Sequence, residues 1–139
     1  MRWLLPILLL AACSEGRQAQ TDIPVTADGI WLGQGRDRMC VANRGGTWQV
    51  GVIAYGEGNN NCSMRAAVKQ AEHGMVVQAM GDRDCEFLIE SDGKTARFPA
   101  RLPDACDYYC GPTATLSGKS FTSSPTASPA VDFAGDPLC

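Results

Sequence analysis

The sequence has few of the residues that catalytic and metal-binding motifs need. Among its 139 residues there is one histidine, His73, and there is neither a Gly-x-Ser-x-Gly segment nor a His-Glu-x-x-His segment. A single histidine excludes the two-histidine zinc hydrolases, and the missing serine motif leaves no nucleophile marked. We therefore interpret His73, which stands beside Gly74 in a predicted turn, as a solvent-exposed turn residue.

An excess of positive charge is also lacking. The chain has 12 Lys and Arg against 15 Asp and Glu, so its formal net charge is −3. Proteins that bind nucleic acid carry a basic surface, and we therefore expect no nucleic-acid partner. The segment Leu116–Ser120 is similar to the end of a phosphate-binding loop, but Thr113 occupies the position of the required first glycine. We interpret this similarity as a coincidence and expect no cofactor.

Hydrophobic runs are short, and the longest one lies at the start of the sequence. Arg2 precedes an apolar run that ends in the quartet Leu10-Ala11-Ala12-Cys13. The run is well below the roughly 18–20 apolar residues that span a bilayer, and the layout is typical of a secretory signal peptide. The quartet resembles the lipobox of bacterial lipoproteins. The resemblance implies that residues 1–12 are removed and that Cys13 is acylated, for example with palmitate.

The lipobox resemblance has consequences for localisation and for domain organisation. By analogy with the family, Ser14 is compatible with sorting to the outer membrane, and we expect a lipid-anchored protein that faces the periplasm. The polar residues 13–27 are predicted to be a flexible tether, and residues 28–139 a single domain. The alternatives are a plain signal peptide with an incidental cysteine at position 13, and an ordered strand at Ile23–Thr26.

Six cysteines follow Cys13, and an even number in an oxidising compartment indicates three disulfides. A zinc site is the alternative, but it prefers Cys-x-x-Cys pairs, whereas the closest pair here has three intervening residues. Cys106 and Cys110, which form that pair, share one face of a predicted helical turn. A disulfide between them would need unusual geometry, so separate partners are favoured. Six cysteines allow fifteen pairings, and the sequence does not choose among them. The six are Cys40, Cys62, Cys85, Cys106, Cys110 and Cys139.

An apolar period of two runs from Asp28 to Pro99 and indicates an all-β domain. We expect about seven short antiparallel strands in a small barrel or a two-layer sandwich. The predicted strands are Ile30–Leu32, Met39–Asn43, Thr47–Tyr55, Cys62–Lys69, Met75–Met80, Cys85–Glu90 and Thr95–Phe98. The residues expected on the buried faces are Trp48, Val50, Val52 and Ala54, then Cys62, Met64, Ala66 and Val68, then Cys85, Phe87 and Ile89.

The last third of the chain departs from this period. Asp104–Cys110 is predicted to form one or two helical turns with Asp104 as the N-cap. The segment Thr122–Ala130 is rich in Ser, Thr, Pro and Ala, a composition typical of a disordered tail. Cys139 nevertheless indicates that the tail is bonded back to the domain by a disulfide.

Tyr108 and Tyr109 are candidate recognition residues, because tyrosine is enriched at protein interfaces. The alternative is that one of them packs under the helix while the other is half-exposed. The block Cys106-Asp-Tyr-Tyr-Cys110-Gly-Pro-x-Ala-x-Leu-x-Gly and the ending Gly135-Asp-Pro-Leu-Cys139 resemble small proteobacterial envelope lipoproteins without an assigned function. A lipobox followed by a small cysteine-bridged β domain is also similar, at the level of architecture, to the membrane-bound inhibitors of c-type lysozyme. The serine-glycine-serine segment of those inhibitors is not visible here.

These observations favour a non-enzymatic, lipid-anchored envelope protein that acts as a binding module. Its expected partners are the membrane, through the lipid, and an envelope protein. The first alternative is an inhibitor of a lytic enzyme such as lysozyme, since an acidic domain attracts a basic target. The second alternative is a hydrolytic enzyme, which would need a concave pocket that gathers His73 or two carboxylates.

Overall fold

A computed structural model of the chain describes residues 29–139, and their dominant feature is a closed barrel of eight antiparallel strands. Each strand pairs with its sequence neighbours, and the last strand closes the barrel by pairing with the first. The prediction of an all-β domain is confirmed, and the structure selects the barrel over the sandwich. The strands are β1 Gly29–Leu32, β2 Arg38–Arg44, β3 Thr47–Tyr55, β4 Asn61–Ala71, β5 Gly74–Ala79, β6 Glu86–Ser91, β7 Thr95–Arg97 and β8 Ser120–Ser123. The predictions on residues 1–28 lie outside the described residues.

Alternation of side chains between the barrel interior and the outside explains most of the strand pattern. On β4, Cys62, Met64 and Ala66 are buried, while Arg65 and Ala67, which alternate with them, are exposed. The interior is filled by large side chains, so it forms a packed core as expected for a barrel of this strand number. The largest fully buried ones include Trp31, Phe98, Phe121, Met39, Met64, Met75 and Ile89.

The prediction for β3 was incomplete, because this strand is buried on both faces. Val50, Val52 and Ala54 face the interior as expected, but Gly51 and Ile53 on the opposite face are buried as well. The C-terminal segment crosses the outside of the barrel here and forms a second apolar cluster of Cys40, Ile53, Ala130 and Leu138. A Cβ atom at position 51 would lie 2.5 Å from the carbonyl oxygen of Leu138, so only glycine permits this close approach.

The strand count of about seven was one too low, because β8 was not predicted. Phe121 is its single buried residue, and Thr122 and Ser123 belong to the stretch interpreted as tail-like. These polar residues are ordered as a strand because β8 pairs with β1 on one side and with β7 on the other. Long-range pairing therefore overrides a composition that by itself indicates disorder.

All six cysteines of the domain form disulfides, as expected, and the structure selects one of the fifteen pairings. Cys106 and Cys110 have separate partners, which confirms the prediction for this pair. Cys40–Cys139 ties the end of the tail to β2 across 99 residues, and the other two bonds hold the helical segment. The pairs are Cys40–Cys139, Cys62–Cys110 and Cys85–Cys106.

The two ends of the barrel differ in the length of their connections. At one end, here called the hairpin end, the turns at 45–46, 72–73 and 92–94 are tight. Gly45 and Gly46 both have positive φ, at 61° and 87°, as a two-residue hairpin turn requires. The other end is here called the loop end, and its four connections are longer. They are residues 33–37, 56–60, 80–85 and 98–119, and the last of them carries the helical segment.

The helical segment is a 3₁₀ helix over Asp104–Tyr109. The prediction that Asp104 is its N-cap was wrong, because Asp104 is the first helical residue and Pro103 precedes it. No side chain caps the helix, and the fixed φ of Pro103 (−53°) directs the chain into it instead.

Candidate recognition surface

Two disulfides fix the 3₁₀ helix against the loop end of the barrel. Cys106, inside the helix, is bonded to Cys85 in the β5–β6 connection, and Cys110, directly after it, is bonded to Cys62 on β4. The backbone N–H of Gly111 donates to the carbonyl of Asn61, which adds a main-chain contact to the same strand. The helix is therefore held on both sides by covalent bonds and has little freedom to change its orientation.

The two candidate tyrosines lie next to each other on this helix but in different environments. Tyr109 packs against the core, and its hydroxyl donates to the Asp82 carboxylate at 3.3 Å. Desolvation and the negative charge of Asp82 raise the pKa of Tyr109 above its ordinary value. Tyr108 is 85% exposed and meets Tyr109 edge to face, with 5.2 Å between the ring centroids. One tyrosine thus anchors the helix, while the other offers its ring to solvent.

Four acidic residues lie on the helix and in the turn that Tyr109 contacts, where Arg83 stands between two of them. Asp104 and Asp107 lie on the helix, and Asp82 and Asp84 lie in the turn that Tyr109 contacts. No ion pair within residues 29–139 involves any of these four carboxylates. We define the Tyr108 surface as Tyr108 and Tyr109 together with these four carboxylates. A surface of this kind favours a partner with positive charge.

Sequence reasoning missed one ion pair at the loop end. Asp37 is 3% exposed, and its carboxylate lies 3.2 Å from the Nζ of Lys119. The other carboxylate oxygen accepts the N–H of Tyr55 at 2.8 Å. Lys119 belongs to the segment that is similar to a phosphate-binding loop, and its ammonium group is engaged by Asp37. Nothing in the spacing of the two residues, 82 positions apart in the sequence, indicated this contact.

A cleft of about 470 Å³ lies at the hairpin end. It bears on the hydrolase alternative, which needs a pocket that gathers His73 or two carboxylates. Its lining brings His73 together with Glu90, Ser91 and Asp92. Ser91 Oγ accepts the N–H of Gly93, and the Asp92 carboxylate accepts the N–H groups of the two residues that follow Gly93. Those two N–H bonds lower the pKa of Asp92. These contacts stabilise the 92–94 turn. The N–H of Ser91 donates to the main-chain carbonyl of His73 at 3.0 Å, but among the described residues no hydrogen bond joins the His73 imidazole to the Ser91 hydroxyl.

The remaining predicted site residues fall into two groups. The six disulfide cysteines form the three bonds described above, whereas Cys13 lies outside the described residues. Within residues 29–139 no group of three or more His, Cys, Asp and Glu side chains is arranged to hold a metal ion. In the same part of the chain no helix is long and apolar enough to cross a membrane.

Comparisons of the chain with protein-family models, with curated protein sequences and with solved structures gave no match.

Proposed function

We propose that the protein is a lipid-anchored binding protein of the bacterial outer membrane that catalyses no reaction and contacts a macromolecular partner through the Tyr108 surface. The observation that carries the proposal is the exposed ring of Tyr108 on a helix that two disulfides fix in place. An aromatic anchor held rigidly before binding loses little conformational entropy when the partner arrives. Four other aromatic side chains, Trp31, Phe87, Phe98 and Phe121, are instead buried in the core.

The proposal is tested by placing a photo-crosslinking amino acid at position 108 in living cells. We expect a discrete crosslinked product, because the side chain at this position lies inside the proposed interface. The matched control places the same amino acid at position 47, since Thr47 is exposed at the hairpin end. Equal yields of the same products from positions 108 and 47 would contradict the proposal.

Lipid anchoring is tested separately by the variant Cys13→Ala. Acylation requires the cysteine thiol, and the acyl chains supply the binding energy for the membrane. We expect the variant to be recovered in the soluble fraction of the cell envelope. A variant that remains tightly membrane-bound after fractionation would contradict the lipid anchor but would leave the Tyr108 surface unaffected.

A second candidate function is inhibition of a lytic enzyme such as lysozyme. The observation that favours it is the set of four carboxylates of the Tyr108 surface, which form no ion pair within residues 29–139, because a basic enzyme is attracted to such a surface. Residues 29–139, titrated into a lysozyme assay, should reduce lysis, and added salt should weaken the effect. Undiminished lysis at a stoichiometric excess of the domain would exclude this function.

A further inference from the structure

The seam between β6 and β7 is the short side of the barrel. Only the pairs Glu90↔Arg97 and Ser91↔Ala96 join these two strands. By contrast, β5 pairs with β6 at five successive positions, from Gly74↔Glu90 to Gln78↔Glu86. The first half of β6, Glu86–Leu88, therefore has a strand neighbour on one side only.

Pro99 explains why the pairing stops. Continuing the register of β6 and β7 places Pro99 opposite Leu88. The main chain of Leu88 points toward this side. Main-chain direction alternates along a strand, and the N–H of Asp92, four residues further along the chain and directly after β6, donates across the same seam to the carbonyl of Thr95. Proline has no N–H to donate, and the carbonyl of Pro99 accepts the N–H of Gly118 instead.

The main-chain groups of Leu88 and Glu86 on this side consequently have no hydrogen-bond partner among the described residues. One N–H donor and one C=O acceptor per residue, repeated at every second residue, are the groups that another extended chain pairs with. A half-strand with unpaired main-chain groups of this kind is a candidate surface for β-strand addition.

The side chains along the seam line a cleft and present charge to such a chain. A cleft of about 250 Å³ lies over the seam, lined by Leu88, Glu90, Arg97, Phe98, Pro99 and Ala100. Leu88 is 38% exposed although it is a large apolar residue. Glu86, on the same face, is exposed and forms no ion pair within residues 29–139. The outer face of this half-strand thus presents an acidic and then an apolar side chain.

We propose that the open half of β6 binds an extended peptide segment of another protein, which adds to the barrel as an antiparallel strand. The residues opposite Leu88 and Glu86 form hydrogen-bonded pairs with them and point their side chains to the same outer face. Cross-strand pairing then favours an apolar residue opposite Leu88 and a Lys or Arg opposite Glu86. Read from its N-terminus, the recognised segment is apolar, any residue, basic. This inference does not depend on the Tyr108 surface.

The first test uses NMR spectroscopy on residues 29–139 with the blocked peptide acetyl-Thr-Val-Thr-Lys-Thr-amide. We expect shifts of the amide signals of Leu88 and Glu86 and slower hydrogen exchange at both. The matched peptide with Glu in place of Lys should bind about two- to fivefold more weakly, as the strength of one cross-strand charge pair dictates. Unchanged signals at both residues with millimolar Lys peptide would overturn the proposal.

The second test reverses the charge of the protein. The variant Glu86→Lys should bind the Glu peptide more tightly than the Lys peptide, and this reversal of preference does not arise from a loss of folding. The control variant Glu72→Lys has the same charge change on a fully exposed side chain in the β4–β5 turn and should keep the original preference. If the Glu86→Lys variant still bound the Lys peptide more tightly than the Glu peptide, the pairing proposed at position 86 would be contradicted. Burial of the Leu88 amide in a dimer of the protein would overturn the proposal in favour of a second copy as occupant.

Discussion

Asp37 shows what a single buried charge requires of its neighbours. Its carboxylate is satisfied by the Lys119 ammonium group and by the N–H of Tyr55. Removal of one partner from a buried pair leaves the other charge without compensation, which costs several kcal/mol. The ion pair also joins the β1–β2 connection to the residue directly before β8. Its loss therefore weakens the fold near the pairing of β1 with β8, where the barrel closes.

We therefore expect Lys119→Met to lower the free energy of unfolding by about 3 kcal/mol, since it leaves the Asp37 carboxylate buried and unpaired. Urea denaturation of residues 29–139 with intact disulfides measures the change. The double variant Asp37→Asn/Lys119→Met should recover part of the loss, because no charge remains buried. A single variant as stable as the wild type would contradict this account.

Asp92 gives a pH dependence whose sign follows from its pKa, which is held below the ordinary value of 3.8 by the N–H groups of Thr95 and Lys94. A carboxyl whose pKa is lower in the folded state stabilises the fold above its unfolded pKa, and this contribution is lost as the pH falls through the folded value. Asp92→Asn should therefore be less stable than the wild type at neutral pH. The difference should disappear in strong acid, where Asp92 is itself uncharged. Urea midpoints at both pH values test this, and a difference that persists in acid would contradict the account.

At the scale of elements, the position of the C-terminal segment depends on the Cys40–Cys139 disulfide. The segment covers Ile53 on the outside of β3 and is held by the Cys40–Cys139 disulfide and by Arg65, which donates to the carbonyl of Pro137 at 2.8 Å. The bond closes a long loop, and in the chain-entropy account the stabilisation grows with loop length.

We expect the double variant Cys40→Ala/Cys139→Ala to lose about 4–5 kcal/mol of stability, the value for a loop of roughly 100 residues. The double variant Cys85→Ala/Cys106→Ala is the comparison, because its loop is shorter, with a sequence separation of 21. The entropic part of its loss should be nearer 3 kcal/mol. Urea denaturation of both variants measures which one loses more stability. A larger loss for Cys85→Ala/Cys106→Ala would show that packing outweighs loop entropy.

The strands that the sequence predicted well are those whose pattern depends on one buried face. β4 and β6 alternate cleanly, and their buried residues are the predicted ones. β8 was missed because Phe121 is its only buried residue and its order comes from neighbours distant in the sequence. The second buried face of β3 was missed for the same reason, since it depends on where the tail crosses.

The candidate surfaces were predictable to different degrees. Tyr108 was identifiable because two aromatic residues beside a cysteine stand out in an otherwise polar helical turn. The sequence alone could not distinguish which of the two tyrosines is exposed, because that depends on the contact between Tyr109 and Asp82. The open half of β6 follows from the position of Pro99 relative to a strand register that only the structure provides.

At the scale of the whole molecule, the disulfide framework leaves no cysteine of the domain as a free thiol. The oxidised protein with Cys13→Ala should therefore show no reaction with a thiol reagent, either folded or unfolded in urea. Two or more reactive thiols under non-reducing conditions would contradict the three-disulfide structure and would reopen the zinc-site alternative.

The end at which the chain enters the barrel follows from the position of Gly29. This residue begins β1 toward the hairpin end, whereas the 3₁₀ helix lies at the loop end. β3 has nine residues and runs from the hairpin end to the loop end, and at roughly 3.3 Å per residue the strand is about 30 Å long. In the lipid-anchored arrangement proposed above, the tether joins the barrel at the end away from Tyr108. The attachment point would therefore leave the Tyr108 surface clear for its partner.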